Sequence, residues 1–381
     1  MDFTLNEEQR MFRNMFRDFA AKEIAPRAEA MDHEETMPPD LLQKAANQGF
    51  LGATLPEDYF GAALDGVSYA LLLEALGAAS MSVAVSLATH VSLVAMSILE
   101  FGSDGQKEEW LPPMAAGEVV GGFALTEPDA GSDAASLQTR AVREGDEVVL
   151  DGVKAWVGNG GIAGLFLVFA REPEGISAFL VPKDSPGLTV GYREPTLGLR
   201  SVSFHTVYLE GCRVPAANRL GAPGSGWEIA QRAQDRFAIA LAAAGVGVSA
   251  DSVDVAAKFA TERIQFDVPI GQKQAIQSYI AQSFIETEAL RYAVYHAAWL
   301  TDQGDFSAEA PVVKALAARV ARFVTNKMLQ VLGGYGFMED YPMARKYRDA
   351  RALGIIGGPT ELHDVRVAQR IFAAYDLPVA P

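Results

Sequence analysis

The chain holds a single cysteine, Cys212, which excludes an internal disulfide and any Cys-cluster metal site and fits a reducing compartment. It is poor in basic residues: 32 Lys+Arg against 48 Asp+Glu leave a net charge of −16, with no basic stripe to collect phosphate contacts, so nucleic acid is not an expected partner. No run of eighteen uncharged apolar residues occurs. The apolar stretches 83–99 and 238–250 are rich in small residues and interrupted by Ser, Thr, His or Gly, so they read as buried bundle helices rather than membrane spans. The N-terminus carries acids, Asp2, Glu7 and Glu8, where a signal peptide carries basic residues, and a cytoplasmic protein is expected.

Two further absences narrow the chemistry. His33, His90, His205, His296 and His363 lie on separate elements without metal-ligand spacing, so no metal is expected, and no G-x-S-x-G elbow exists. Each histidine reads as structural, with His90 alone also placed to border an apolar pocket. The spacing G-x-G-x-x-A occurs twice, from Gly158 to Ala163 and from Gly245 to Ala250. The first is followed by a strand pattern and the second lies inside an Ala-rich helix, so neither offers the helix N-terminus that a dinucleotide fingerprint needs.

What is present is a chain of 381 residues, 49% hydrophobic and 21% charged, long enough for two or three domains. Residues 1–118 read as helical: Asn6 and Gln9 resemble a capping box, and Met11, Phe12, Met15, Phe16 and Phe19 recur at helical spacing. Pro38-Pro39-Asp40 and Asp65-Gly66 open further helices, and a run from Ser80 closes on Gly102. Residues 119–222 switch to six short apolar runs, 137–142, 147–150, 165–169, 176–181, 188–190 and 202–209, separated by Gly, Pro and Asp, which indicates a compact β domain. Residues 223–381 return to helices, with long segments over 227–262, 271–302 and 307–332. The expected class is α+β, mainly α, in three parts.

Two segments carry the chemistry. Phe123-Ala124-Leu125-Thr126-Glu127-Pro128-Asp129-Ala130-Gly131-Ser132-Asp133 joins a short β run to a turn whose hydroxyls and Ala-Gly step suit a flavin ring or a phosphate. Gln330-Val331-Leu332-Gly333-Gly334-Tyr335-Gly336-Phe337 ends an apolar helix in glycines. In this order and separation the two segments resemble the signatures of the acyl-CoA dehydrogenase family, FAD enzymes that desaturate acyl thioesters, and the resemblance runs from Leu5 to about Ile371.

The resemblance implies a helical N-terminal domain, a middle β-barrel and a C-terminal four-helix bundle. It also implies FAD, an acyl-CoA substrate oxidised to a trans-2-enoyl-CoA, an electron-transferring flavoprotein as acceptor and a homotetramer. By the same resemblance Leu125 and Thr126 bind the pyrimidine edge of the ring and Trp156 lies against it; the residue alone reads equally as a strand aromatic in the barrel core. Arg263, Phe266, Gln330 and Gly334 contact FAD across a subunit boundary, although Arg263 alone reads as a helix-surface charge. Ser132 and Arg236 resemble positions near the thioester and CoA, with a solvated surface as the alternative, and Ile356, Val85, Ala88 and Ala95 are candidates for shaping the acyl cavity.

The chain departs from this pattern twice. Gly158 stands where most relatives have a hydroxyl residue that donates to the flavin, removing a contact of about 1 kcal/mol. Gly357 stands where the commonest catalytic base, a Glu, is found. Relatives without that Glu place the base on the long helix opening the C-terminal domain, and alignment by this resemblance puts Asp235 there, with Glu361 and Asp364 as fallback carboxylates. Asp235 alone reads as a helix acid paired with Arg236 or solvated. The Gly357 N–H is expected to donate to the thioester oxygen, since that contact uses main chain. The alternatives are an acyl-carrier-protein thioester dehydrogenase or a flavin oxidase on the same fold, and a flavin-binding scaffold that has lost its chemistry.

Overall fold

The computed structural model describes residues 4–375. Helices fill the first part: α1 Glu7–Phe19, α2 Ala28–His33, α3 Pro39–Asn47, α4 Gly66–Ala79, α5 Met81–Ala88, α6 Met96–Phe101 and α7 Asp104–Ala115. The expected capping box forms at α1: the Gln9 amide donates to Asn6 Oδ1 at 2.8 Å, and the Asn6 amide donates to Gln9 Oε1 at 3.1 Å. Asp65 caps α4 by accepting from the Ser68 amide at 2.6 Å. The single helix expected from Ser80 to Phe101 is continuous but not uniform, because a π-helical turn over Thr89–Ala95 separates α5 from α6. Such insertions recur at functional sites, and this one faces the β domain.

Eight strands follow: β1 Gly121–Ala124, β2 Arg140–Glu144, β3 Glu147–Val157, β4 Leu165–Glu172, β5 Gly175–Pro182, β6 Leu188–Arg193, β7 His205–Pro215 and β8 Arg219–Leu220. They hydrogen-bond in the order β6-β7-β3-β2-β4-β5-β8, and β1 runs parallel to β4 with Gly121 opposite Leu165. The sheet encloses a core of its own, including Leu150, Phe166, Phe179 and Val207, while its other face joins the helical core. Gln265, in the short hairpin of β9 Ile264–Gln265 and β10 Val268–Pro269, lines a groove described below.

The last part holds α8 Gly226–Glu262, α9 Gln274–Gln303, α10 Ala310–Leu332, α11 Gly334–Phe337, α12 Pro342–Ala352 and α13 Thr360–Ala373. α8, α9 and α10 pack side by side, and α4 from the first part lies on α8. Met81–Phe101 and Gly226–Glu262 are long and apolar enough to cross a membrane by composition, but 89% and 78% of their apolar windows are buried within the protein. They are core helices here.

Backbone meets backbone where α4 crosses α8. A β-carbon on Gly247 would sit 2.0 Å from the Glu74 carbonyl oxygen, and one on Gly77 would sit 2.4 Å from that of Ala244. The glycine spacing of 245–250 thus serves helix contact, as its place inside a helix implied. Gly245 is different, since its added β-carbon would meet only the Leu353 and Ala317 side chains, at 3.1 and 3.4 Å. Gly247→Ala is expected to lower unfolding stability by about 3 kcal/mol or more, and Gly245→Ala by about 1 kcal/mol or less. Denaturant midpoints of the two variants check this, and equal midpoints would remove the crossing as a constraint.

Candidate active site

The segment after β1 is held by a buried ion pair. Lys154, on β3 and fully buried, donates to Glu127 Oε1 at 2.7 Å and to the Leu125 carbonyl at 3.2 Å. Glu127 also accepts from the amides of Gln138 and Thr139, at 2.6 and 2.9 Å, and from the Thr139 hydroxyl at 2.5 Å. Burial alone would raise the Glu127 carboxyl, but the hydrogen bond and charge of Lys154, with the other donors, outweigh it and hold the group below its ordinary value. Burial pushes the Lys154 ammonium down to about 8, against the pull of Glu127. The Ala155 amide donates to the Thr126 carbonyl at 2.9 Å, so residues 125–127 run tied to β3 by main chain and side chain together.

That tie presents Leu125 and Thr126 on a fixed edge beside Trp156. The pairing of β3 with β7 shifts register between Lys154 and Val157, and Trp156 takes φ +51°, uncommon for a non-glycine residue. The bulge turns the indole outward, leaving it 56% exposed while Lys154 points in. Trp156 is therefore not a barrel-core aromatic; it is a flat apolar surface open to a ligand. Ser132 is exposed on the turn, and a β-carbon on Gly131 would meet nothing within 4 Å. A β-carbon on Gly158 would lie 3.4 Å from the Thr89 hydroxyl, itself bonded to the Val85 carbonyl at 2.8 Å. This open, polar-edged and flat-walled edge fits an isoalloxazine ring.

Asn159, which the sequence reading did not single out, and His90, which it placed only at the border of a pocket, fasten this edge to the helices. Asn159 donates to the carbonyls of Ser86 and Gly121, at 2.9 and 3.2 Å, and accepts from the Ser86 hydroxyl at 2.6 Å. His90 accepts from the Gly121 amide at 3.0 Å through Nδ1, which places the proton of the neutral ring on Nε2, and burial pushes its pKa down to about 4. His90 thus links the π turn to β1. Val85, Ala88 and Ala95 are all buried on the same helical run.

Far along α8 lies a second feature. Arg263 follows Asp235 by 28 positions, about 40 Å of helical rise, and borders a groove of about 640 Å³ with Phe259, Gln265, Gly333, Gly334 and Tyr335. The Arg263 guanidinium stands 5.3 Å from the Tyr335 ring centroid, and β-carbons on Gly333 or Gly334 would meet nothing within 4 Å. Of the four residues expected at a shared cofactor end, the structure brings Arg263 and Gly334 to this groove. Gln330 is exposed just before it, with its carbonyl accepting the Gly333 amide, and Phe266 projects from the hairpin 87% exposed.

At the thioester end the structure corrects the expected partner of Asp235. Asp235 is buried, but its partner is Arg366 on α13, at 2.8 Å, rather than the adjacent Arg236 or solvent. A β-carbon on Gly357 would meet Leu241 at 3.1 Å and Phe237 at 3.3 Å. The Arg366 that holds the Asp235 carboxylate lies one turn along α13 from His363, which bonds the Gly357 carbonyl at 2.9 Å. Arg236 is not solvated: it pairs with Glu100, retains a buried Nη1 without partner, and burial pushes its pKa down to about 10. Ile356 is half-buried beside Gly357, Glu361 is exposed, and Asp364 pairs with Arg319.

Family models match in three consecutive pieces: the acyl-CoA dehydrogenase N-terminal domain over residues 6–118, the middle domain over 122–212 and the C-terminal domain over 224–372. Acryloyl-CoA reductase (NADH) of Anaerotignum propionicum is 39% identical, with 97% of this chain and 96% of the relative covered. The mitochondrial short-chain specific acyl-CoA dehydrogenase of Mus musculus is 38% identical over 97% of this chain and 92% of its own. The solved structure of butyryl-CoA dehydrogenase from Megasphaera elsdenii matches with a TM-score of 0.95 at 34% identity, covering 98% of this chain and all of that one.

The Asp235–Arg366 pair ties α8 to α13. Asp235→Asn is expected to cost about 1–3 kcal/mol of unfolding stability and to leave flavin content intact, while thioester-driven flavin reduction falls by about two to four powers of ten. Denaturant titration and stopped-flow absorbance on one preparation check both halves. Undiminished reduction in the folded variant would remove Asp235 from the chemistry.

Proposed function

The chain belongs to the acyl-CoA dehydrogenase family, and from that premise we propose that it binds FAD and dehydrogenates an acyl-CoA thioester between Cα and Cβ, giving a trans-2-enoyl-CoA. The observation that carries this reading is the Leu125–Thr126 edge, locked by Lys154 and Glu127 beside an outward-turned Trp156. Bound FAD would supply the acceptor for the hydride leaving Cβ and a carrier of its electrons to an electron-transferring flavoprotein, while the Asp235 carboxylate takes the proton from Cα.

The protein's own part is placement and polarisation. Leu125 and Thr126 offer main-chain and hydroxyl groups to the pyrimidine edge, and Trp156 supplies the flat wall. Ser132, exposed on the turn, is available to the thioester's CoA side, and Arg236, nearly buried and paired with Glu100, keeps an unpartnered Nη1 for the same end. The Gly357 amide receives the thioester oxygen, so that charge developing there meets a fixed donor. Ile356, Val85, Ala88 and Ala95 bound the space for the acyl chain.

The groove at Arg263 and Gly334 receives the far end of an FAD held mainly by a second copy, with Phe266 and Gln330 at its margin. Exposed Phe284, Ile285, Tyr292 and Trp299 along α9 support burial between copies, in a homotetramer. A cytoplasmic location accords with the one cysteine being free and buried.

A second reading is favoured by the apolar wall that Phe237 and Leu241 build against Gly357. An α-proton beside a thioester is weakly acidic, and with glycine at 357 and Asp235 held on Arg366 neither position offers an unpaired carboxylate to remove it. In that reading the protein binds flavin and thioester without turnover. Anaerobic mixing of the purified yellow protein with acyl-CoA thioesters of graded length and branching separates the two. Bleaching within seconds by at least one thioester, reversed slowly by air and fast by a flavoprotein acceptor, is the expected result. Rapid recovery in air alone would mark an oxidase, bleaching only by carrier-protein thioesters would change the substrate, and no bleaching by any of them would establish the scaffold reading.

A further inference from the structure

We propose that His363 is a positioning residue for the thioester site: it fixes the Gly357–Gly358 turn so that the Gly357 amide faces the substrate oxygen. The proposal rests on the dehydrogenase reading and names a side chain that this reading does not use. Gly357 and Gly358 take φ of +66° and +93°, a backbone that side-chain-bearing residues rarely adopt and that two consecutive glycines leave loose. Something must hold it. His363, in the first turns of α13 and 3% exposed, sits behind the turn with Nε2 2.9 Å from the Gly357 carbonyl oxygen. A β-carbon on Gly358 would lie 3.1 Å from the same nitrogen, so the imidazole occupies the space against the turn.

The direction of that hydrogen bond follows from chemistry. A carbonyl oxygen only accepts, so Nε2 carries the proton, and Nδ1, buried without a partner, holds the lone pair. Burial, followed by the nearby Lys314 ammonium, pushes the His363 pKa down to about 4, so the ring stays neutral and keeps this tautomer through the working range of pH. Lys314 anchors the other side of the segment: fully buried on α10, it donates to the Leu353 carbonyl at 2.5 Å. Two donors from two helices thus fix carbonyls at 353 and 357. The Gly357 amide donates to no other backbone carbonyl among the described residues, which leaves it free for a ligand. With no base side chain at 357, this amide is the group by which the turn can act on the thioester, and its aim depends on the imidazole behind it.

The test compares His363→Leu, which removes the donor, with His363→Gln, which restores an N–H donor of similar reach. Amide hydrogen exchange of residues 353–359, read by mass spectrometry on the flavin-loaded protein, is expected to quicken at least about tenfold in the Leu variant and to stay near the parent value in the Gln variant. Infrared difference spectra of a bound, unreactive acyl-CoA ether-chain thioester, ¹³C-labelled at the carbonyl, are expected to show a lowered stretch in the parent and Gln proteins and a stretch nearer the free value in the Leu protein. Flavin reduction by a reactive thioester should fall roughly ten- to hundredfold in the Leu variant, mainly in kcat. An unshifted stretch in a parent protein that binds the thioester, or equal shifts in all three proteins, overturns the positioning role. A parent protein that binds no thioester overturns the dehydrogenase reading and this inference with it. If the Leu variant does not fold, a Gln variant with parental exchange and stretch supports the role, and one lacking the shift refutes it.

Discussion

A buried ammonium and a buried carboxylate, Lys154 and Glu127, are the interaction on which the site depends. Each would be costly to bury alone, and each is made tolerable by the other and by four further hydrogen bonds to residues 125–139. Such a pair is weak evidence of stability, since an apolar pair of the same volume often serves as well or better. What it supplies is geometry: the Leu125 carbonyl can point only at Lys154, and the chain that follows has one course along β3. The edge offered to a cofactor is therefore built before any cofactor arrives.

The same logic runs through the helices. α4 and α8 approach so closely that Gly77 and Gly247 cannot bear side chains, which brings the first and last parts of the chain into one core. The π turn between α5 and α6 then carries His90 to the Gly121 amide and leaves the Thr89 hydroxyl beside Gly158. Asn159 completes the clamp from the β domain. Helix packing, the π turn and the bulge at Trp156 thus meet around one surface, and each is a local irregularity that the sheet or helix would not adopt for its own stability.

Much of this was legible in the sequence. The capping box at Asn6 and Gln9, the start of α4 at Asp65 and the alternation of helical and strand periods located most elements, because local hydrogen bonding and burial period fix them. α7 went unremarked although Ser103 and Gln106 spell the same capping box, since two prolines inside it mask the period. β3 was read only as far as Leu150; its continuation to Val157 lacks clean alternation because the bulge turns Trp156 out. Lys154, Glu127 and Asn159 lay inside motifs singled out for their neighbours, yet a charged residue in a strand gives no sign of being buried until its partner is placed. The surroundings of the acid were not legible: no periodic signal in 227–262 shows that the Asp235 carboxylate is buried against Arg366 rather than Arg236. His363 was set aside as a lone structural histidine, and only the turn in front of it gives the ring a task.

The account stands on the claim that Lys154 shapes the flavin edge rather than merely tolerating burial. The dissociation constant of the flavin for Lys154→Met, measured by fluorescence on protein whose helix content matches the parent, tests that directly. Breaking a buried pair costs about 3–5 kcal/mol, and even a third of that cost falling on the loop weakens binding by about tenfold. A dissociation constant raised tenfold or more is the predicted result; an unchanged constant in the folded variant would contradict the account.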